Sequence, residues 1–415
     1  MLLQPVGGLA VRDDSMPTPD PPARASDDSR TRYIRPLLLA AVAAFFVYHG
    51  WSPASPLQLA LGGVFAILAA LAVTGRLFVP RHQTVAINIG ISLAFLDQVF
   101  AGLEWDAMGQ ALARANYWLL GPAFAIVVLT LFLRTWRWQW LLRSVGKVPF
   151  AAAFRATCLG IGANMVLPAR AGEFLRVFAL GRATGYAKTA IFATLVIERI
   201  LDGLTILLLL AGVMLLGVHS DQLHYLGIVG GAFYLAALVA LLVFFYRQAW
   251  LVAIVRHLLP ANWAERAIQL LDAFGDGLHV LRNGRQLLVV SAQSVVIWVA
   301  IALSFYPVML AFEYGAPVPL FAPFLLTPLL ALGLTLPGAP GGIGIMQYMA
   351  VLALQLSMAT TGAVLAGDFA EQAAAFSVLM HLSQAVPEIA FGLWAFLSAG
   401  LSWREVGARE VRSVT

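Results

Sequence analysis

The chain has 415 residues, of which 60% are hydrophobic and 11% are charged, whereas a soluble domain carries about 25% charged residues. This composition excludes an ordinary soluble protein and indicates a polytopic membrane protein, with one membrane domain accounting for nearly all of the chain. The single Cys158 excludes a disulfide framework and a cysteine metal cluster, and the net charge of +5 comes from basic loops between spans, so it gives no reason to expect nucleic acid.

Apolar segments follow a polar start of the chain. Residues 1–32 are rich in Pro, Asp, Ser and Arg, which predicts a disordered cytoplasmic tail without a cleaved signal sequence. We expect an N-terminal transmembrane hairpin at 33–83, a main membrane domain at 84–400 and a cytoplasmic tail at 401–415. Eight full spans are expected at about 34–50, 56–75, 84–103, 117–134, 187–216, 225–246, 286–312 and 370–399.

Two further apolar segments are short and interrupted, at about 149–167 and 319–336, and a helix near 344–358 follows the second. Lys and Arg mark cytoplasmic turns, and the basic turn from Arg134 to Lys147 contrasts with 313–318, which holds neither. This alternation requires the first interrupted segment to enter and return on the cytoplasmic side. The second must do so on the outer side, and both termini are then cytoplasmic.

A short sequence repeat supports this topology. Leu167-Pro168-x-x-x-Gly172 corresponds to Leu336-Pro337-x-x-x-Gly341, each placed between an interrupted segment and a long span. Inverted repeats whose broken helices meet near the bilayer midplane recur in transporters. The expected fold class is therefore an all-α polytopic membrane protein, with about eight transmembrane helices plus two re-entrant hairpins in an inverted repeat.

Six ionisable residues stand in or beside these apolar segments. Because such groups cost a few kcal/mol each at membrane depth, they normally pair with each other or line a wet cavity. One interpretation is a set of ion pairs that locks the helix bundle. The other is a binding site for an anionic headgroup, which the helix break before Gly172 favours, because a helix start presents its N–H groups to anions. The six are Arg170, Glu173, Arg176, Glu198, Arg199 and Asp202.

Other candidate substrate-binding residues surround the second break and the last span. The glycine-rich stretch from Pro337 to Gly344 lacks the spacing of a nucleotide loop and fits a hairpin tip with free backbone groups. His381 and Gln384 share one face of the last span with Glu388, where packing and chemistry are equally open. The additional candidates are Asn164, Pro337, Gly341, Gly342, Gly344, Gln347, His381 and Gln384.

An enzyme is the alternative class. Glu104 and Asp106 follow an outward-going span, and membrane glycosyltransferases with polyprenyl-linked donors hold a metal on acidic residues of an early outer loop. Two carboxylates at this spacing are also common in interfacial loops. A membrane enzyme acting on a polyprenyl- or lipid-linked substrate is therefore kept as the second hypothesis, and no cofactor is expected for the first.

Three motifs together resemble one family. They are Asn164-x-x-Leu-Pro-x-Arg170-x-Gly-Glu173-x-x-Arg176, Glu198-Arg199-x-x-Asp202 and Leu-Pro-Gly-x-Pro-Gly-Gly-x-Gly344. This combination is similar to the flippase-like family, also called the lysylphosphatidylglycerol synthase transmembrane-region family, which forms the membrane half of the multiple peptide resistance factor. Arg134-x-x-Arg137-Trp138 resembles the end of an earlier family helix. The resemblance covers residues 84–400.

The resemblance implies a multi-pass protein of the bacterial inner membrane that moves lipids or lipid-linked molecules between leaflets, passively or with an ion gradient. The multiple peptide resistance factor has a soluble aminoacyl-transfer domain after its membrane part, whereas this chain ends about fifteen residues past its last span, so we do not expect lysyl transfer. The expected partner is a membrane lipid with an anionic headgroup. A homodimer and a separate lipid-modifying enzyme stay open as partners.

Overall fold

The computed structural model describes residues 31–51, 56–74, 80–167, 171–218, 221–258, 260–278, 283–362 and 364–398. Within these ranges the chain forms helices and loops and no strand. The chain divides into two compact units, residues 1–84 and 85–415. The predicted tails, 1–32 and 401–415, lie outside the described residues, apart from the first two residues of the first helix.

The first unit contains a pair of packed helices, α1 (Thr31–Trp51) and α2 (Pro56–Thr74). Phe46 of α1 stacks on Phe65 of α2 with their ring centroids 6.0 Å apart, and both side chains are buried. Gly62 of α2 lies directly against Val47, so the two backbones approach closely at this point. This unit is thus a helical hairpin with its own small apolar core.

The second unit combines long helices with pairs of shorter ones. Its first helix, α3 (Pro80–Phe100), begins just before the boundary between the units. The helices that follow are α4 (Trp105–Arg114), α5 (Leu120–Leu142), α6 (Phe150–Val166), α7 (Gly172–Thr184), α8 (Lys188–Leu215), α9 (Asp221–Tyr246), α10 (Gln248–Leu258), α11 (Ala261–Gly277), α12 (Gly284–Met309), α13 (Ala322–Gly333), α14 (Ile345–Ala359) and α15 (Phe369–Ser398).

Six helical stretches of the described chain are long and apolar enough to cross a membrane, namely His82–Phe100, Tyr117–Leu142, Leu223–Tyr246, Gly284–Met309, Pro340–Ala359 and Phe369–Ser398. The helix α8 has 28 residues, more than the ~20 that a span needs, but its charged residues set it apart from these six. The prediction of an all-α polytopic membrane protein is confirmed. Five of the eight predicted spans are among the six, and the others correspond to α1, α2 and α8.

The helix α5 extends further than the sequence analysis predicts. We expected its span to end near residue 134 and placed Arg134 and Arg137 in a basic cytoplasmic turn, and this is wrong. The helix continues to Leu142, because Trp138, Leu141 and Leu142 are fully buried and prolong its apolar face. Arg137 is therefore an interior residue of the bundle, with 1% of its surface exposed.

The two interrupted segments form two helical hairpins, α6 with α7 and α13 with α14. The tip of the second hairpin, Pro340–Gly342, packs against α6. Gly341 has a φ of +69°, and a Cβ at this position would lie 3.0 Å from the carbonyl oxygen of Met165, near the end of α6. Only glycine combines this backbone conformation with so close an approach. The tip of the second hairpin therefore touches the end of the first helix of the other hairpin.

The apolar core of the second unit has two main parts that adjoin along α8 and α12. On α8, Ile200 belongs to one part and Leu210 to the other, with Asp202 between them in sequence. On α12, Val290 and Ile297 are divided in the same way. Polar residues thus occur where the two apolar clusters meet.

The topology gives the first testable prediction. Lys147, between α5 and α6, and Glu313, between α12 and α13, occupy equivalent exposed positions before the two hairpins. If the repeat is inverted, a membrane-impermeant maleimide should label Glu313→Cys in intact cells, and Lys147→Cys only after permeabilisation. The native Cys158 is fully buried and should stay unlabelled in the parent chain, which serves as the control. Labelling of both positions from the same side would contradict the inverted repeat.

Candidate functional site

A cluster of six charged side chains lies inside the second unit, contributed by three helices. Arg137 comes from α5, Glu173 and Arg176 come from α7, and the remaining three come from one turn of α8. We call this set the charge cluster: Arg137, Glu173, Arg176, Glu198, Arg199 and Asp202.

Glu198 is the centre of the charge cluster. Its Oε1 lies 3.3 Å from Arg137 Nη2, 3.0 Å from Arg176 Nη1 and 2.9 Å from Arg199 Nη2. Arg176 also donates to Oε2 at 3.4 Å, so this pair is bidentate. The carboxylate is 1% exposed, and three guanidinium groups thus share one buried anion. A buried carboxylate without such partners would cost several kcal/mol.

Asp202, one turn further along α8, joins α5 and α12 to the charge cluster. Both terminal nitrogens of Arg137 donate to the two oxygens of Asp202, and Trp298 Nε1 donates to Oδ1 at 2.9 Å. Arg199 Nη2 lies 3.2 Å from Oδ2. Arg137 also donates to Ser294 Oγ at 2.8 Å. The donors on Asp202 therefore come from three different helices.

An aromatic ring fixes the orientation of Arg176. Its guanidinium carbon lies 3.7 Å from the centre of the Trp138 ring, and Trp138 Nε1 donates to Thr194 Oγ1 at 3.0 Å. A guanidinium held over an indole face is stabilised by the ring quadrupole, more so when water is excluded, as it is here. Arg176 is therefore held by Glu198 on one side and by Trp138 on its face.

Arg199 is the accessible arginine of the charge cluster. Its side chain is 42% exposed, whereas those of Arg137 and Arg176 are 1% and 4% exposed. Its contact with Glu173 is the longest in the cluster at 3.8 Å, and Glu173 is 26% exposed. The three arginines and three carboxylates balance to zero net charge. The cluster thus has a closed interior, in which Glu198 and Asp202 are bound by arginines, and one open edge at Arg199 and Glu173.

Asn164 positions the start of α7 beside this cluster. Its Oδ1 accepts a hydrogen bond from the N–H of Gly172 at 2.9 Å, which satisfies one of the unpaired groups at a helix start. A Cβ on Gly172 would lie 2.0 Å from the carbonyl oxygen of Gly160, so α6 and α7 meet at backbone contact. Arg170, which the sequence analysis places in the site, lies outside the described residues.

The other predicted site residues form a second group at the tip of the second hairpin. Gln347 Oε1 accepts from the N–H of Gly344 at 2.7 Å, and Gln347 Nε2 lies 2.8 Å from His381 Nδ1. Gln384 bonds to Ser304 and to Ser383. Gly341, Gly342 and Gly344 all have positive φ, and Pro337 is exposed. Among the contacts of the described residues, none joins this group directly to the charge cluster.

Arg137, Ser294 and Trp298 are site residues that the sequence motifs do not indicate. A signal for Arg137 was present, because the apolar Trp138, Leu141 and Leu142 that follow it indicate a continuing helix. Ser294 and Trp298 carried no signal, since a serine and a tryptophan are ordinary in an apolar span.

An apolar groove runs along α8 beyond the charge cluster. Its volume is about 490 Å³, and its walls include Leu209, Leu216 and Phe324. Along α8, Leu209 and Leu216 follow Asp202 at helical spacing, on the same face. Seven residues separate Asp202 from Leu209, which is ~10 Å along a helix. A charged site and an apolar groove thus follow one another on one face of α8.

The acidic pair of the enzyme hypothesis lies away from these features. Glu104 and Asp106 are exposed at the start of α4, and the N–H of Glu104 lies 3.4 Å from Glu371 Oε1. Within the described ranges, no group of three or more His, Cys, Asp or Glu side chains is arranged to hold a metal ion.

Two broken helical hairpins and a buried, charge-balanced cluster define an all-helical, multi-pass membrane protein with a polar interior. The chain belongs to the family described as Lysylphosphatidylglycerol synthase TM region, whose model matches residues 83–392. This confirms the resemblance stated from the sequence motifs. The family indicates a membrane protein of lipid metabolism or transport.

A curated relative is similar over a shorter stretch. "Glycosyltransferase AglD" of Haloferax volcanii is 29% identical over 150 residues. The alignment covers 35% of this chain and 24% of that protein, so the chain spans only about a quarter of the relative's length.

The contacts of Arg137 give the second testable prediction. Arg137→Met should leave Asp202 without its bidentate donor and Glu198 with one cation fewer, and a broken buried pair typically costs about 3–5 kcal/mol. We expect a large fall in the melting temperature of the purified protein in detergent. Arg247→Met, at an exposed position between α9 and α10, is the matched control and should melt like the parent.

A double variant separates unpaired charge from lost packing. Arg137→Met combined with Asp202→Asn removes both charges, so it should melt at a higher temperature than Arg137→Met alone. Equal melting temperatures for Arg137→Met and the parent would show that the cluster does not depend on this arginine.

Proposed function

We propose that this protein moves a lipid or lipid-linked molecule with an anionic headgroup between the two leaflets of a bacterial inner membrane, with both termini in the cytoplasm. The observation that carries the proposal is the open edge of the charge cluster, where the side chain of Arg199 is 42% exposed beside a closed interior. Ionisable residues inside a membrane bundle typically mark a substrate pathway.

Arg199 is the residue that meets the headgroup. Its pair with Glu173 is long and partly exposed, and such pairs are worth about 0–1 kcal/mol. A phosphate accepts two parallel hydrogen bonds from a guanidinium, which is a stronger, charge-assisted interaction. Phosphate can therefore displace Glu173 from Arg199, and Glu173 can return when the phosphate leaves. While phosphate is bound, Glu173 has no ion pair, and its partial exposure of 26% lets water solvate it.

Arg137 and Arg176 support this site from behind. Both are buried and bound by the carboxylates of α8, so they fix Glu198 and Asp202 and contribute positive potential without exchanging partners. The lipid tails then lie in the apolar groove further along α8, whose Leu209 is ten positions or about 15 Å along the helix axis from Arg199. In this arrangement the headgroup contacts Arg199, and the tails contact apolar residues of the groove such as Leu209 and Phe324.

A purely structural cluster is the competing explanation of the same contacts. Buried ion pairs also fix helix packing, and the bonds of Glu198 and Asp202 suit that role. It explains the long, partly exposed contact between Arg199 and Glu173 poorly, because such a contact contributes little to stability. The two explanations differ in their dependence on the headgroup of the lipid.

The third testable prediction uses this difference. In proteoliposomes, fluorescent lipids with anionic, zwitterionic and neutral headgroups are compared for movement between leaflets. We expect the anionic lipid to move fastest, and Arg199→Gln to slow it at least tenfold, since a hydrogen bond to a charged group is worth ~1.5–3 kcal/mol. Arg199→Lys keeps the charge but loses the paired donors, and should be intermediate.

Arg247→Gln is the matched control and should move lipid like the parent. Melting temperatures of all variants verify that Arg199→Gln remains folded, as expected while Arg137 and Arg176 still hold Glu198. Movement of neutral lipid as fast as anionic lipid, or an unchanged rate in folded Arg199→Gln, would contradict the proposal.

A membrane enzyme is the second candidate function, favoured by the similarity to a protein named glycosyltransferase. In that case the chain acts on a polyprenyl- or lipid-linked substrate, and Glu104 and Asp106 hold the metal.

The fourth testable prediction distinguishes a lipid transporter from a membrane enzyme by mass spectrometry of the lipids retained on the purified protein. Translocation predicts an anionic phospholipid that is lost in Arg199→Gln. A sugar-loaded polyprenol whose retention depends on Glu104 would favour the enzyme.

A further inference from the structure

Glu388 is a buried carboxylate with unusual surroundings. It lies in α15 and is 8% exposed, and its Oε2 is enclosed without a hydrogen-bond partner. Glu198 and Asp202, the other buried carboxylates of the described chain, are each bound by two or more arginines. Within the described residues Glu388 has no ion pair and no side-chain hydrogen bond.

Arg134 of α5 is the charged group that acts on Glu388. The two interact electrostatically but do not form an ion pair, and Arg134 Nε is itself enclosed without a partner. The helices α4, α5, α6, α12 and α14 pack against α15. Besides Arg134, their titratable groups are Asp106 and Arg114 on α4, Arg137 on α5, Arg155 and Cys158 on α6, Arg285 and Tyr306 on α12 and Tyr348 on α14. Nearby His381, on α15 itself, is bonded to Gln347.

Glu388 can lose its charge at lower cost than the other buried carboxylates. Protonation of Glu198 or Asp202 would leave arginines without their anion, at a cost of several kcal/mol. Protonation of Glu388 breaks no ion pair, because none is formed. Its enclosed oxygen can hold the proton as a neutral carboxylic acid, which is the form that an apolar interior favours.

A proton bound by Glu388 would offset the negative charge that a lipid headgroup brings into the interior. Without lipid, the charge cluster is neutral, and the charges of Arg134 and Glu388 cancel although the two form no ion pair; Arg134 also interacts with Asp202 of the cluster. An anionic headgroup at Arg199 adds one negative charge, and uptake of one proton restores neutrality. We propose that Glu388 is a proton-binding site that couples lipid movement to the proton gradient, one proton travelling in the same direction as each anionic headgroup. This inference rests on the proposed function.

The position of Glu388 connects it to both hairpins. A Cβ on Gly162 of α6 would lie 2.7 Å from the carbonyl oxygen of Glu388, so the first hairpin touches α15 at this residue. One and two turns away on the same face of α15 are Gln384 and His381, and a Cβ on Gly341 at the tip of the second hairpin would lie 3.7 Å from His381 Nε2. A charge change at Glu388 thus occurs where α15 meets the elements that would have to move.

The test, our fifth prediction, uses the full chain in proteoliposomes that contain fluorescent phosphatidylglycerol and a pH-sensitive dye in the lumen. With a gradient of one pH unit, coupling of one proton to one lipid should enrich the lipid about tenfold in the leaflet facing the alkaline side. Proton movement into that side should accompany it. Glu388→Gln, which mimics the protonated acid, should exchange lipid without responding to the gradient. Glu313→Gln, at an exposed loop position, should behave like the parent.

Infrared difference spectra of the purified protein give a readout independent of transport. Acidification should produce a carboxylic-acid band that Glu388→Gln lacks and Glu313→Gln retains. Lipid exchange that ignores the pH gradient would overturn the coupling and leave the proposed function standing. Absence of lipid movement would overturn both. A gradient response that persists in Glu388→Gln would show that another group carries the proton.

Discussion

The convergence of three arginines on Glu198 is the constraint on which the rest of the second unit depends. Each arginine comes from a different helix, so one buried carboxylate fixes the mutual positions of α5, α7 and α8. Asp202 adds α12 through Arg137, Ser294 and Trp298. Buried charges tolerate few arrangements, because a guanidinium moved away from its carboxylate leaves both desolvated and unpaired. The two apolar clusters provide apolar contact between the helices, and the ion pairs determine the relative positions in which the helices pack.

The same constraint explains which features of the fold and of the candidate site could be predicted from the sequence. Apolar runs and basic turns predicted the helices, and the cost of buried charge correctly brought Glu173, Arg176, Glu198, Arg199 and Asp202 together. Helical spacing relates residues three or four apart, but Arg137 and Asp202 are 65 residues apart, and nothing in their spacing pairs them. Arg137 was assigned to a turn because arginine normally ends a span. Here Glu198 and Asp202 of α8 pair with Arg137 in the interior, so α5 continues past this arginine.

Within the candidate site, the solvent exposure of a side chain distinguishes residues suited to ligand binding from residues suited to holding the helices together. Arg137, Arg176, Glu198 and Asp202 are enclosed and held by short ion pairs, which suits a fixed framework. Arg199 and Glu173 are partly exposed and joined by a long contact, which suits exchange of that contact with a ligand. Glu388 differs from both groups, because it is enclosed and its Oε2 has no hydrogen-bond partner. Composition and periodicity do not distinguish these three conditions, because each concerns the partners of a side chain and not its type.

The two glycine contacts of α6 have a mechanical consequence. Gly160 lies against Gly172 and the Cβ of Arg176 on α7, and Gly162 lies against Gly392 of α15, so the backbone of α6 approaches both neighbours closely. Ordinary helix packing sets side chains into grooves, which resists sliding along the axis. The glycine contacts contribute little of this resistance, and small sliding of packed helices is one of the established ways in which proteins change shape. The position of α6 along its axis therefore depends on a few other contacts, such as Phe154 against Phe391 and Trp394 and the hydrogen bond from Gly172 to Asn164.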